Sequence, residues 1–199
     1  MVFKKNIMLK VFILLEFFLL LGGCAYQYTN ENNLDKEYIK KIKLNVKSFE
    51  INKDSLDIIT TENLLQNEIN KKVLNKLEAW AWQKFAIEGM ENKAILKLLE
   101  NDLSVVEKRK HKKSILSIIQ QGKEVYKITL NFNLYLTAND SLIKTLKITS
   151  SLDFVLLNKY SITQRDKAII YNVDKLIKLI DDKVTFQLSN KAFDKFVIK

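Results

Sequence analysis

The chain has 199 residues, with 33 Lys+Arg against 23 Asp+Glu, one His, one Cys, four Gly and no Pro. A single cysteine excludes an internal disulfide framework, and a single histidine without a thiol cluster excludes the common zinc ligand sets. The formal charge of +10 fits an anionic partner or surface, although a composition rich in Lys, Asn and Ile also carries the bias of an AT-rich genome.

Residues 1–23 read as a secretory signal. Lys4, Lys5 and Lys10 form a basic start, residues 11–21 form an apolar run of eleven, and Gly22, Gly23 and Cys24 close it. A membrane-spanning helix would need about 20 apolar residues, and the polar stretch from Gln27 arrives too early. Glu16 interrupts the apolar run, where a charge is costly to place in hydrocarbon, and would slow processing or favour an uncleaved anchor.

Leu21-Gly22-Gly23-Cys24 resembles the bacterial lipobox. The resemblance implies diacylglyceryl attachment to the Cys24 sulfur, cleavage before Cys24 and N-acylation of the new terminus, with palmitate-type chains. The bilayer is then a partner through acylated Cys24, since each buried methylene adds about 0.8 kcal/mol and two or more chains anchor stably. The alternative is an unmodified cysteine ending an ordinary signal peptide. Ala25 stands where enteric lipoproteins retained in the inner membrane carry Asp, so the same resemblance implies the outer membrane, facing the periplasm. Acylation leaves no thiol for a disulfide. Removing three lysines and one glutamate with the signal leaves 30 cationic against 22 anionic residues, a formal +8. Secretion excludes nucleic acid as a partner.

Residues 24–41 read as a polar, Asn-rich tether and residues 42–199 as one α+β domain, long enough for a sizeable core. In "IKLNVKSFEI", Ile42, Leu44 and Val46 alternate, then the phase shifts near Ser48 to Phe49 and Ile51, which predicts a first strand with a bulge. A helix follows, capped by Thr61 with Glu62 in its first turn. Its stripe is Ile69, Val73, Leu77 and Trp80, broadened by Leu65, Leu74, Ala81 and Phe85, and Gly89 is placed to stop it. Trp80 and Trp82 diverge on a helix, which leaves Trp82 for an external contact.

In residues 93–108, Ile95, Leu99, Leu103 and Val105 fall in strand register, with a helix as the competing reading. In "YKITLNFNLYLTA", Tyr126, Ile128, Leu130, Phe132, Leu134 and Leu136 alternate with polar residues. A turn at Asn139-Asp140-Ser141 leads to a return strand with Leu146, Ile148, Leu152, Phe154 and Leu156 on one face, completing a hairpin with one wet side. Ser161-x-x-Gln164 is a capping box, and Ile169, Val173, Leu176, Ile177, Ile180 and Val184 form the stripe of a final helix. The predicted order is strand, helix, three strands, helix: two helices on one face of a four-stranded, mostly antiparallel sheet.

Behind a lipobox, that order is similar to the lipopolysaccharide-assembly lipoprotein family of the outer-membrane translocon. A closer likeness is to uncharacterised alphaproteobacterial lipoproteins. It rests on Trp80 or Trp82, Gly89, "SVVE" at 104–107 and "SITQRDKAIIYNV" at 161–173, and departs from them in lacking a Pro after the "SVVE" strand. The resemblance brings no functional residues. It brings no established activity either; the first functional expectation is a non-enzymatic accessory of envelope assembly or of lipid and lipopolysaccharide transport, with an envelope protein as partner.

The densest charge is "KRKHKK". Lys108, Arg109, Lys110, Lys112 and Lys113 form a candidate anion-binding loop for phosphorylated lipid or another anionic glycolipid, although charge runs are more often solvated connections. "SILSIIQQ", residues 114–121, puts an amphipathic turn beside it, whose competing reading is packing back on the sheet. His111 has no second histidine or thiol to complete a metal site, serines have no histidine to activate them, and no Gly-rich phosphate loop exists. Asp181-Asp182 read as solvated surface. Neither catalysis nor a cofactor is expected. Binding of an anionic glycolipid or cell-wall polymer, and membership of an ABC-type lipid transporter, are the competing functions.

Overall fold

The computed structural model describes residues 39–53, 63–98, 103–107, 122–138 and 141–198, all within one compact unit, Asp35–Lys199. Cys24, the run 108–113, residues 114–121, Thr61, Glu62, Leu99, Asn139 and Asp140 lie outside the described residues.

The phase shift near Ser48 marks a change of sheet. Strand β1 (Ile42–Leu44) ends, and after residues 45–47 strand β2 (Ser48–Asn52) begins in a second sheet. Helix α1 (Leu64–Lys84) starts at Asn63, whose Oδ1 accepts from the amides of Leu65 and Gln66 and satisfies two orphan donors of the first turn. The cap is therefore Asn63, one turn edge later than Thr61. Ile69, Val73, Leu77, Trp80 and Ala81 are buried, as the stripe predicted, and Phe85 is buried as the first residue of strand β3 (Phe85–Ile87).

Gly89 is not the helix stop. The chain turns straight into β3, and Gly89 has no positive φ. What requires glycine is proximity: a Cβ there would sit 2.4 Å from the Asn45 carbonyl carbon and the Val46 nitrogen. The Gly89 amide donates to Val46 O at 3.1 Å and the Glu88 amide to Leu44 O at 3.0 Å, so two backbones cross to the next sheet side by side. Asn92, at φ 66°, completes the second kink in a region Asn tolerates.

Strand β4 (Lys93–Lys97) then lies parallel to β2, as β3 lies parallel to β1, so α1 is the crossover of one long βαβ unit split over two sheets. Strand β5 (Leu103–Glu107) resumes on the same edge of strand β6 (Lys123–Ala138) that β4 occupies: Lys97 pairs with Asn133 and Leu103 with Leu130. Residues 98–102 span only two residues of β6. That excess resets the side-chain parity. Ala94, Leu96 and Leu98 are buried before the break, Leu103 and Val105 after it, and Ile95 faces away from the core, contrary to the single in-register strand predicted.

The long hairpin is as predicted. Tyr126, Ile128, Leu130, Phe132, Leu134 and Leu136 are all buried. Strand β7 (Ser141–Leu157) answers with buried Leu146, Ile148, Phe154 and Leu156, partly buried Leu152, and a buried Ser150 in the same series. A register slip between Leu136 and Thr137 skips Ile143, the signature of a bulge. Helix α2 (Ile162–Leu188) opens on the complete capping box: Ser161 Oγ accepts from the Gln164 amide and Gln164 Oε1 from the Ser161 amide. Its predicted stripe is buried throughout, joined by Leu188.

After a 3-10 turn (Lys191–Phe193), strand β8 (Val197–Ile198) closes a small sheet in the order β3-β1-β8. The main sheet runs β2, β4 and β5 end to end, β6, β7. The fold is α+β, with both helices on one face over a single core, and two sheets where one was expected.

Candidate functional site

Two polar constellations sit on opposite sides of the core. The first joins the helices. Lys84 Nζ is fully buried, 2.7 Å from Asp181 Oδ1 and 2.7 Å from Thr185 Oγ1, and Trp80 Nε1 donates to the same Asp181 oxygen at 2.8 Å. Lys72–Asp166 and Lys76–Asp174, both at 2.8 Å, extend the contact toward the helix starts, so α1 and α2 run in the same direction. Asp181 is therefore not solvated surface: only Asp182 of that pair is exposed. The reason is helical phase, since Asp181 follows the buried Ile180 on the side facing α1 and Asp182 turns outward. Each group here already holds a partner, so the cluster locks the two helices and presents nothing for a substrate.

A related clamp fixes the start of α2. Arg165 donates to both oxygens of Glu124, at 3.3 and 2.6 Å, and the Tyr126 hydroxyl donates to Glu124 at 3.0 Å. The Arg165 hydrogen bonds hold the Glu124 carboxyl below its usual range, against partial burial, while burial and then the neighbouring carboxylate push the Tyr126 phenol up.

The second constellation is the open face of the main sheet, opposite the helices. Strand register sets its rows. Asn52, Lys97, Asn133 and Lys147 form one row, Glu50, Ile95, Tyr135 and Thr145 the next, and Ser48, Lys93, Thr137 and Leu142 the third. With strands about 4.8 Å apart, Lys97 and Lys147 flank Asn133 at a backbone separation of about 10 Å, and Lys93 lies about 13 Å from Lys97 along β4. Asn133 Nδ2 reaches the Tyr135 hydroxyl at 3.4 Å. Glu50 is the only carboxylate in these three rows. Two ammonium groups on either side of an amide, with a phenol in the next row, make a cationic platform able to hydrogen-bond, suited to a phosphate or carboxylate on a polar chain. Among the described residues no group of three or more His, Cys, Asp or Glu is placed to hold a metal.

Sequence reasoning passed over these lysines because Lys147 is only the wet residue of an alternating strand, while Lys93 and Lys97 share the parity of Ile95, which the predicted register turned toward the core. The signal that would have found them is the pairing register, which brings the lysines of β4 and β7 to either side of β6. Trp82, set aside for an external contact, is 51% exposed, with its ring set edge-on to Phe49 at 5.2 Å.

No protein-family model and no curated protein matches the sequence. Among solved structures, the chain is similar to a minor lipoprotein from Acinetobacter baumannii, at 9% identity and TM-score 0.39 over 76% of this chain and 94% of that one. It is also similar to the rare lipoprotein B from Shewanella oneidensis, at 9% identity and TM-score 0.32 over 72% of this chain and 99% of that one.

Proposed function

We propose that the protein is a lipid-anchored envelope lipoprotein facing the periplasm, a non-enzymatic accessory of envelope assembly or of lipid and lipopolysaccharide transport at the outer membrane. The observation that carries this is the segment Leu21-Gly22-Gly23-Cys24 at the end of an eleven-residue apolar run, ahead of a polar tether. Acyl chains on Cys24 would hold the folded unit close to a bilayer, where it would meet an envelope protein partner. The described polar clusters support a binding role: the helix cluster and the Glu124 clamp are satisfied internally, and the open sheet face offers cations and hydrogen-bonding groups.

Metabolic labelling with a fatty-acid analogue tests the anchor. Wild type should take up label and Cys24→Ser should remain an unlabelled, longer precursor. Label on the serine variant would overturn the lipid assignment, and recovery of labelled wild type in the inner membrane would overturn the outer-membrane location.

A second reading is favoured by the lysine platform itself: a module that binds an anionic glycolipid or cell-wall polymer through Lys97 and Lys147, with the 108–113 run as a further contact.

A further inference from the structure

Helix α2 sorts its charges by side. Asp166, Asp174 and Asp181 all turn toward α1, where they pair with Lys72, Lys76 and Lys84. Its lysines do not follow them. Lys167, Lys175 and Lys178 lie exposed on the side opposite the buried stripe, with Asp182 the one exposed acid among them. The helix carries nearly equal numbers of acids and bases, yet its outer side is cationic because its acids are spent inward.

Apolar side chains are exposed on the same side of the helix. Phe186 is 79% exposed, Leu179 40% and Tyr171 37%, and Lys175 Nζ sits 4.4 Å from the Tyr171 ring centroid. Steps of four, eight and seven residues from Lys167 through Tyr171 and Leu179 to Phe186 keep them on one side of the helix. Lysines interleaved with aromatic and aliphatic residues match an interface where apolar groups enter the acyl boundary and ammonium groups meet lipid phosphates.

We propose that this outer side of α2 rests on an anionic phospholipid surface. The inference builds on the anchoring reading, which supplies the reach: 14 residues lie between Cys24 and Ile39, a length of chain that covers at most about 50 Å. The cationic sheet platform lies on the far side of the core from this helix face and would point away from the bilayer, toward the periplasm.

Depth measurement by electron paramagnetic resonance tests it on the full chain. Nitroxide labels go on Phe186→Cys and, as the opposite-side control, on Glu50→Cys, with acylation read by mass. In phosphatidylglycerol vesicles the label at 186 should lose collision with an aqueous nickel chelate and gain collision with oxygen, while the label at 50 stays in water. The triple change Lys167→Glu, Lys175→Glu and Lys178→Glu should abolish the immersion, and phosphatidylcholine vesicles should show little of it. A water-exposed label at 186 on acylated, vesicle-bound protein overturns the proposal. So does protection that ignores lipid charge and survives the triple change, which would mark a protein partner or second copy on this face. If the chain carries no acyl mass, the anchoring reading fails by itself. The same labels on sedimented phosphatidylglycerol vesicles then still decide: immersion at 186 supports the contact and water exposure overturns it.

Discussion

Lys84 occupies a position where a lysine looks ordinary, the last turn of a helix, where cations are favoured by the helix dipole. Its environment is far from ordinary, since it is fully buried with Asp181 and Thr185 as its partners. Removing one member of such a pair leaves a buried charge uncompensated, at a cost of about 3–5 kcal/mol, whereas replacing both members by apolar side chains of similar volume can be far cheaper. Asp181→Ala should therefore destabilise strongly in urea titration, and the double change Lys84→Met with Asp181→Leu considerably less; equal losses would mean the pair is not the lock between the helices. Glu124 supplies a pH test. Its carboxyl is held below the ordinary 4.5 by Arg165, so its contribution to stability is present above that value and is lost as pH falls through the lowered one. Glu124→Gln should lower the thermal midpoint at neutral pH, and the gap to wild type should close below about pH 4.5. A gap that stays constant into acid would show the ion pair contributes nothing.

At the scale of elements, β6 is the strand on which everything else is built, pairing with β4, β5 and β7. Its two faces differ completely: Phe132 and Leu134 are 2% and 1% exposed, and Asn133 between them lies on the open face. Truncating a core Leu or Phe costs about 2–5 kcal/mol through lost transfer energy and the cavity left behind. Phe132→Ala and Leu134→Ala should each lose that much in denaturant titration, with Asn133→Ala close to neutral; similar losses at all three would mean the sheet is covered on both sides. The alternation of this strand was legible because β6 runs as one strand of 16 residues. The edge beside it was not. The pairing passes from Lys97–Asn133 to Leu103–Leu130, which flips parity midway, and a period-2 pattern read across that step assigns Ile95 to the wrong face.

At the scale of the whole molecule, charge decides what the protein can approach. The platform takes Lys93 and Lys97 from β4 and Lys147 from β7, on either side of β6. If it binds polyanions, purified lipopolysaccharide should bind the full chain in a manner that weakens steeply with salt, because exposed charges are screened beyond about 8–10 Å at physiological ionic strength. Lys97→Gln with Lys147→Gln should weaken that binding without changing the thermal midpoint. A parallel variant with Gln at Lys108, Arg109, Lys110, Lys112 and Lys113 apportions the effect between platform and loop. Wild-type protein that ignores lipopolysaccharide at low salt would leave the second functional reading without support.

What the sequence determined by itself was whatever depends on neighbours along the chain. The two helical stripes, the Ser161 capping box, the alternation of β6 and β7 and the α+β class all follow from local periodicity and hydrogen-bonding chemistry, and each is present in the structure. What only the tertiary structure decided depends on residues far apart meeting. Gly89 is glycine because the Asn45–Val46 peptide bond passes where a Cβ would be, and no helix-stop rule contains that contact. Asp181 is an internal partner and Asp182 a surface charge because α1 happens to lie on one side of α2. The cationic sheet face and the cationic helix side arise in the same way: local sequence sets which residues point outward, but only packing sets which of their counter-charges have been drawn inward.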